Sequence, residues 1–336
     1  MVSGFSCSRP HHSPTGPSRS TSGNLDEVQF SRILVAAAAA LTLTACSAEQ
    51  SDPSIEPAVG LPVDASRVTV QTTGTGERVL TYRDVDAAEQ SLEVEVAEGL
   101  NQTLMQADAV DVQAPAGGDV ERLTVPLTGA ATAAGDPAEN ERAASRDVEF
   151  RVGQPSSSNL ELTDDIRSAE GFLLGWRGED DGQVSTVRLA APKDATDEGR
   201  SEVEQALLKL LSMPVVFPAE AVGPGATWSV DSRVTGEATL LQTTTYSITA
   251  VDGDRVELDV DVQQRPAIGA LTMEDGQSLN VLNSNTTSEG ALTVDLGRPL
   301  PVDGRVSYTT RVVYGGAESD VRVVQDTTTS LAFTDS

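Results

Sequence analysis

The sequence is poor in the side chains that most catalysis relies on. Its 336 residues include two cysteines, Cys7 and Cys46, two histidines, His11 and His12, and two lysines, Lys193 and Lys209, and aromatic residues make up 4%. No apolar run approaches the roughly 20 residues that a membrane-spanning helix requires. Cys7, His11 and His12 all precede Cys46, so a chain that began at Cys46 would carry one thiol and no imidazole. That inventory excludes Ser-His-Asp and Cys-His catalysis, disulfides, and zinc, copper or haem sites built on imidazole or thiolate. No cofactor and no metal is expected. Lys209 stands between Leu207-Leu208 and Leu210-Leu211, the setting of a solvent-facing lysine on an amphipathic helix rather than of a catalytic amine.

What the sequence does contain is concentrated first around Cys46. Arg32 precedes ILVAAAAALTL, Ile33 to Leu43, which is apolar apart from Thr42. The length is that of a signal-peptide apolar core. The run closes on Leu43-Thr44-Ala45-Cys46, which resembles the bacterial lipobox: an aliphatic residue, two small residues, then a cysteine. The resemblance implies cleavage between Ala45 and Cys46 and a diacylglyceryl group on the Cys46 sulfur. Two acyl chains anchor stably where one holds marginally. The expected location is the extracytoplasmic face of the cell membrane, with residues 1–45 as the removed signal. The polar lead from Met1 to Phe30 exceeds an ordinary signal, and a start at Val28 gives a compact one, VQFSRILVAAAAALTLTAC.

Basic residues number 23 and acidic residues 51, a net charge of −28. A surface of that sign repels nucleic acid and anionic headgroups, so the expected partners are the membrane, through the anchor, and an apolar ligand or another envelope protein. Residues 46–66, rich in Ser, Pro and acids, read as a disordered tether. Residues 114–118 and 128–145 read as a second break, a long loop between strands.

Elsewhere the hydrophobic period is two, which predicts strands at 67–71, 77–82, 91–96, 147–152, 159–162, 184–189 and 330–334. Hairpins are expected over Thr239 to Val262, turning at Asp252-Gly253, and from Val306 through Gly315-Gly316 to Val323. One amphipathic helix is predicted near 197–212, where Val203, Ala206, Leu207, Leu210 and Leu211 share a face and Pro214 follows. So little helix excludes a helix-wrapped parallel sheet. The expected fold is mainly β (β-rich α+β), a twisted antiparallel sheet curled as a barrel or half-barrel. Residues 67–336 form it, as one domain or as two halves meeting near 195–215, with GERVLTYRD and GATWSVDSR as a faint echo between them.

Two segments, FPAEAVGPGATW (Phe217 to Trp228) and SEGALTVDLGRPLPVDGRV (Ser288 to Val306), resemble a family of uncharacterised actinobacterial cell-envelope lipoproteins. The likeness covers mainly 217–333 and implies a location without an activity. By analogy with lipid-carrying envelope lipoproteins, a curved sheet under one helix encloses an apolar ligand, and Trp176, Leu207, Leu211 and Trp228 are the expected lining. A packed core there would favour a scaffold or partner-binding domain instead. The remaining alternative, a carboxylate-based hydrolase, would draw on Asp164-Asp165, Glu179-Asp180-Asp181 or Asp252/Asp254. None of these has calcium-loop spacing, and sugar clefts want aromatic platforms that this chain lacks.

Overall fold

The computed structural model describes residues 54–137, 141–234, 239–272, 278–316 and 319–336. All of them fall in one compact unit. Ala45 and Cys46 lie outside the described residues.

The chain enters through two short strands, β1 (Val59–Pro62) and β2 (Arg67–Thr72), and then crosses one end of the molecule before the first long strand. β3 (Gln90–Gln106), β4 (Glu121–Ala133), β5 (Arg146–Val152), the two-residue β6 (Ser156–Ser157), β7 (Leu173–Gly178) and β8 (Val184–Ala190) follow, with helix α1 (Thr163–Ser168) between β6 and β7. Helix α2 (Asp197–Leu211) leads into the second run, β9 (Thr227–Val234), β10 (Leu240–Asp252), β11 (Arg255–Pro266), β12 (Ala270–Thr272), β13 (Ser278–Asp295), β14 (Asp303–Gly315) and β15 (Val321–Asp335).

These strands make one antiparallel sheet in the order β1-β8-β7-β5-β4-β3-β15-β14-β13-β11-β10-β9-β2, with β6 and β12 paired at its margins. Two meanders, β3 to β8 and β9 to β15, are thus joined side by side through the β3–β15 ladder, which runs from Leu92 opposite Asp335 to Gln106 opposite Val321. In the chain the two meanders meet at α2, within the one compact unit. GERVLTYRD and GATWSVDSR fold differently, the first as a crossing segment and the second as the start of β9. The sheet is not closed by pairing: β1 and β2 are its two edges, and only residues 63–66 separate them in the chain.

Because neighbouring strands alternate in direction, β8, β5, β3, β14, β11 and β9 all finish at one end of the sheet, and β1, β7, β4, β15, β13, β10 and β2 all start there. Ser54 lies at this end, its carbonyl accepting from Lys193 N at 2.9 Å. The opposite end is crossed by residues 73–89. Tyr82 N donates to Asp180 O at 2.7 Å, in the β7–β8 turn, and Arg83 N to Leu296 O at 2.6 Å, just beyond β13.

The helix forms where the sequence places it. Thr196 caps it, its hydroxyl accepting from Gly199 N at 3.1 Å, and Asp197 and Glu198 complement the positive end of the helix dipole. Val203, Ala206, Leu207 and Leu210 are buried against the inner face of the sheet. Gly199 is the position where α1 touches α2: a Cβ there would meet Asp165 O at 2.0 Å.

Five sequence expectations need correction. Residues 54–66 do not read as a tether in the structure: Ile55 is buried, and β1 pairs with β8 from Val59–Leu189 to Pro62–Thr186. A proline is tolerated in this position because an edge strand has a side without a ladder. Residues 128–133 belong to β4 rather than to a loop. Their small side chains are required, since a Cβ on Gly129 would meet Glu149 O at 2.1 Å and Phe150 Cα at 2.6 Å. Residues 77–82 are extended and bury Leu80 and Tyr82, but outside the ladders, with a single bridge from Arg78 to Val222. Residues 160–162 are a 3₁₀ turn, capped by Asn159, whose side chain accepts from Glu161 N at 3.1 Å. In the Thr239–Val262 hairpin, Tyr246 faces Val260 and Ile248 faces Leu258, and the turn is Gly253-Asp254, one residue later than expected.

Candidate functional site

The expected lining residues are brought to one core but not to one pocket. Trp228 is fully buried, its Nε1 donating to Val216 O at 2.8 Å. It stands in a row of rings, 5.9 Å from Phe217 and 5.5 Å from Tyr246, and Phe217 lies 5.7 Å from Tyr82. Leu207 is buried among the core residues. Trp176 stacks on Phe150 at 5.8 Å. It shares a cavity of about 30 Å³ with Leu211, Tyr82, Arg146, Leu300 and Phe333. That volume admits a water molecule and falls far below the roughly 300 Å³ at which ligand pockets begin. A second recess of about 180 Å³ lies between β1, β8 and α2, where Leu61, Phe172 and Leu189 meet Arg200 and Glu204. Glu56 also lines it and is bound to Arg200 at 2.5 Å.

The most unusual group in the interior is one that sequence reasoning missed. Arg146, the first residue of β5, and Asp84, in the crossing segment, form an ion pair with side chains 3% and 0% exposed. Arg146 Nε donates to Asp84 Oδ1 at 2.8 Å and Nη2 donates to Oδ2, a two-pronged fork. The guanidinium carbon sits 4.2 Å over the Tyr82 ring, a cation–π contact strengthened by exclusion of water. The Tyr82 hydroxyl donates to Val215 O at 3.3 Å. Asp84 is held by its own turn: Ala87 N donates to Asp84 O at 3.0 Å, and Asp86 adopts a positive φ of 59°. Sixty-two residues separate the two charges, and neither lies in a periodic segment that would have announced the pairing. Chemically the pair is saturated. It tethers the crossing segment to β5 and offers no free carboxylate to a substrate.

The acids named in the hydrolase reading do not converge. Asp164 and Asp165 occupy the first turn of α1. Asp181 Oδ1 accepts from Gln183 N at 2.8 Å in the β7–β8 turn, and burial pushes its carboxyl up. Asp254 pairs with Arg83, on an exposed surface. Glu202 on α2 is also pushed up, first by burial and then by Glu198, Glu121 and Glu98. Among the described residues there is no cluster of His, Cys, Asp or Glu able to hold a metal ion, and no helix long and apolar enough to cross a membrane.

A second buried polar group lines the inner face of β10, β11, β13 and β14. Gln264 Nε2 donates to Gln242 Oε1 at 2.7 Å, Gln242 Nε2 to Ser212 O at 3.2 Å, and Thr286 and Thr310 hydroxyls meet at 3.0 Å. This network ties the end of α2 to the sheet. All four tyrosines of the chain have phenols pushed above the ordinary range, by burial first in each case. Because the folded value is raised, the stability that follows is present in full below the unfolded phenol pKa of about 10 and declines as pH climbs through the folded values. In an alkaline titration followed by tyrosinate absorbance, Tyr314, the least buried, is expected to ionise first. Tyr82, Tyr246 and Tyr308 should ionise together with loss of the far-ultraviolet β signal. Ionisation of all four near pH 10 with the fold intact would contradict this packing.

No family model matches the sequence, and neither the curated proteins nor the solved structures hold a match to it.

Proposed function

We propose that the chain is a cell-envelope lipoprotein, anchored through a diacylglyceryl group on Cys46 after cleavage beyond Ala45, whose β domain is a non-enzymatic scaffold or partner-binding module. The anchoring half rests on the order of features before Cys46: a basic residue, an apolar core of signal length, then Leu-Thr-Ala-Cys. The likeness of Phe217 to Trp228 and Ser288 to Val306 to actinobacterial envelope lipoproteins supports the same location. The acidic surface agrees with a domain that stands off anionic headgroups while a lipid holds it.

The observation that carries the second half is the close packing of α2 on the sheet. An apolar carrier needs a continuous cavity between Val203–Leu211 and the sheet. The space beside Leu210 and Leu211 is about 30 Å³, room for a water and not for an acyl chain. The scaffold reading is therefore favoured over the carrier, and the separation of the acids favours it over the hydrolase.

The finer form of the sheet belongs to the same reading. Laid flat, the thirteen strands of its main path would span about 58 Å at roughly 4.8 Å per spacing. Yet β1 and β2, its two edges, are joined by residues 63–66, a link of at most about 18 Å. We infer a sheet bent into a half-barrel whose lips nearly meet, with α2 and the aromatic row packed on part of its inner face.

Cys46→Ser tests the anchor. Expressed in a bacterium that processes lipoproteins, the parent protein is expected in the membrane fraction and the variant in the soluble extracytoplasmic fraction or as an uncleaved precursor. Equal membrane retention of both would remove the anchor from the account.

A further inference from the structure

The inner face of β3 changes character halfway along. Leu92, Val94 and Val96 are core residues, and alternation carries the same face on through Glu98, Leu100, Gln102 and Leu104. Glu98 is bound by Lys209 of α2 at 2.7 Å. Beyond it, towards the Ser54 end, Leu100 is 66% and Leu104 74% exposed. Opposite them on β15 stand Thr327 and Val323, and the matching face of β15 from Val321 to Thr329 carries only Val, Gln and Thr. This stretch therefore has the composition of an interior, without a charge past Glu98, in a chain that is 22% charged. The described residues leave its leucines uncovered. Leu160, 82% exposed, and Ile268, 56% exposed, lie in connections at the same end. Of the exposed large hydrophobic residues, Val79 is the one that sits in the crossing segment at the opposite end.

We propose that the Ser54 end of the sheet, with Leu100 and Leu104 foremost, lies against the bilayer surface. The inference rests on the anchor reading. If Cys46 carries the lipid, the eight residues from there to Ser54 span at most about 29 Å even when fully extended. The anchor thus holds this end of the domain, rather than the Val79 end, near the membrane. Apolar side chains brought to the interface by a tether need little affinity of their own, since the tether supplies the local concentration. The preferred surface is a neutral, zwitterionic one, because a net charge of −28 opposes approach to anionic headgroups.

The sulfur content of the chain makes the test clean. After Ala45 the sole native thiol is that of Cys46, which is acylated on this reading, so a second cysteine can be labelled alone. Leu104→Cys and Val79→Cys are made in the full acylated protein, labelled with a fluorophore, and reconstituted on phosphatidylcholine vesicles. Each is then exposed to a spin-labelled lipid and, separately, to acrylamide, a neutral aqueous quencher. The label at 104 is expected to lose emission to the lipid quencher and to be sheltered from acrylamide, with the reverse at 79. If the protein floats with the vesicles but the label at 104 is as open to acrylamide as that at 79, the docking surface is wrong and the anchor stands. A label at 104 sheltered from both quenchers also overturns the proposal, in favour of a protein partner or a second copy. Failure to float with vesicles at all defeats the anchor reading and this one with it.

Discussion

Arg146→Met is expected to destabilise the domain by about 3–5 kcal/mol, the cost of leaving a buried charge without its partner. Asp84 has no exposed surface and takes both prongs of the guanidinium fork. Methionine fills much of the same volume but offers the carboxylate nothing. The loss also removes the cation from above the Tyr82 ring. Combining Arg146→Met with Asp84→Leu is expected to recover most of the loss, because an apolar pair of similar size avoids the desolvation cost that the ion pair carries. Denaturant unfolding of the two single variants and the double variant, treated as a cycle, gives the coupling directly. A single-variant loss under about 1 kcal/mol, the scale of surface ion pairs, would mean that Asp84 and Arg146 are solvated.

Trp228→Ala is expected to cost a similar 3–5 kcal/mol. The indole is fully buried and touches both Phe217 and Tyr246. Removing it opens a cavity that the ladder positions of Val70 and Tyr246, its neighbours across β2 and β10, cannot collapse to fill. It also leaves Val216 O without the indole donor it has at 2.8 Å. At roughly 2–4 °C per kcal/mol for a domain of this size, the midpoint should fall by about 10 °C in a thermal scan. Leu104→Ser at the exposed end should leave it nearly unchanged, as surface substitutions usually do.

The parts of the fold that could be read from sequence were those whose signal is local. α2 announces itself through a repeat of apolar positions and a following proline, and it lies over Asp197–Leu211. The β10–β11 hairpin follows from alternation interrupted by a Gly-containing turn. What escaped were strands whose sequence is shaped by their neighbours. β4 passes through TGAATA because Phe150 presses on Gly129, so a strand was disguised as a flexible linker. β1 contains glycine and proline at a sheet edge, where their usual penalties lapse. The crossing segment alternates like a strand because it is extended and half-buried, and nothing in its own residues says that no ladder will receive it.

The candidate site was legible in smaller measure for a related reason. Trp176 and Leu211 do share the wall of one small cavity, whereas Leu207 and Trp228 are packed into solid core. Apolar residues expected to line a pocket and apolar residues that fill a core look alike in sequence, since both need only burial. The Asp84–Arg146 pair has no periodicity and no motif, and its existence depends on how residues 73–89 cross the end of the sheet.

The fate of Cys46 decides where the protein is held. Mass spectrometry of the native protein, extracted from its own membrane and digested, tests this directly. The predicted result is an amino-terminal peptide that begins at Cys46, heavier by a diacylglyceryl group, with no peptide from residues 1–45. A water-soluble chain with an unmodified Cys46 and with His11 and His12 still attached would contradict it.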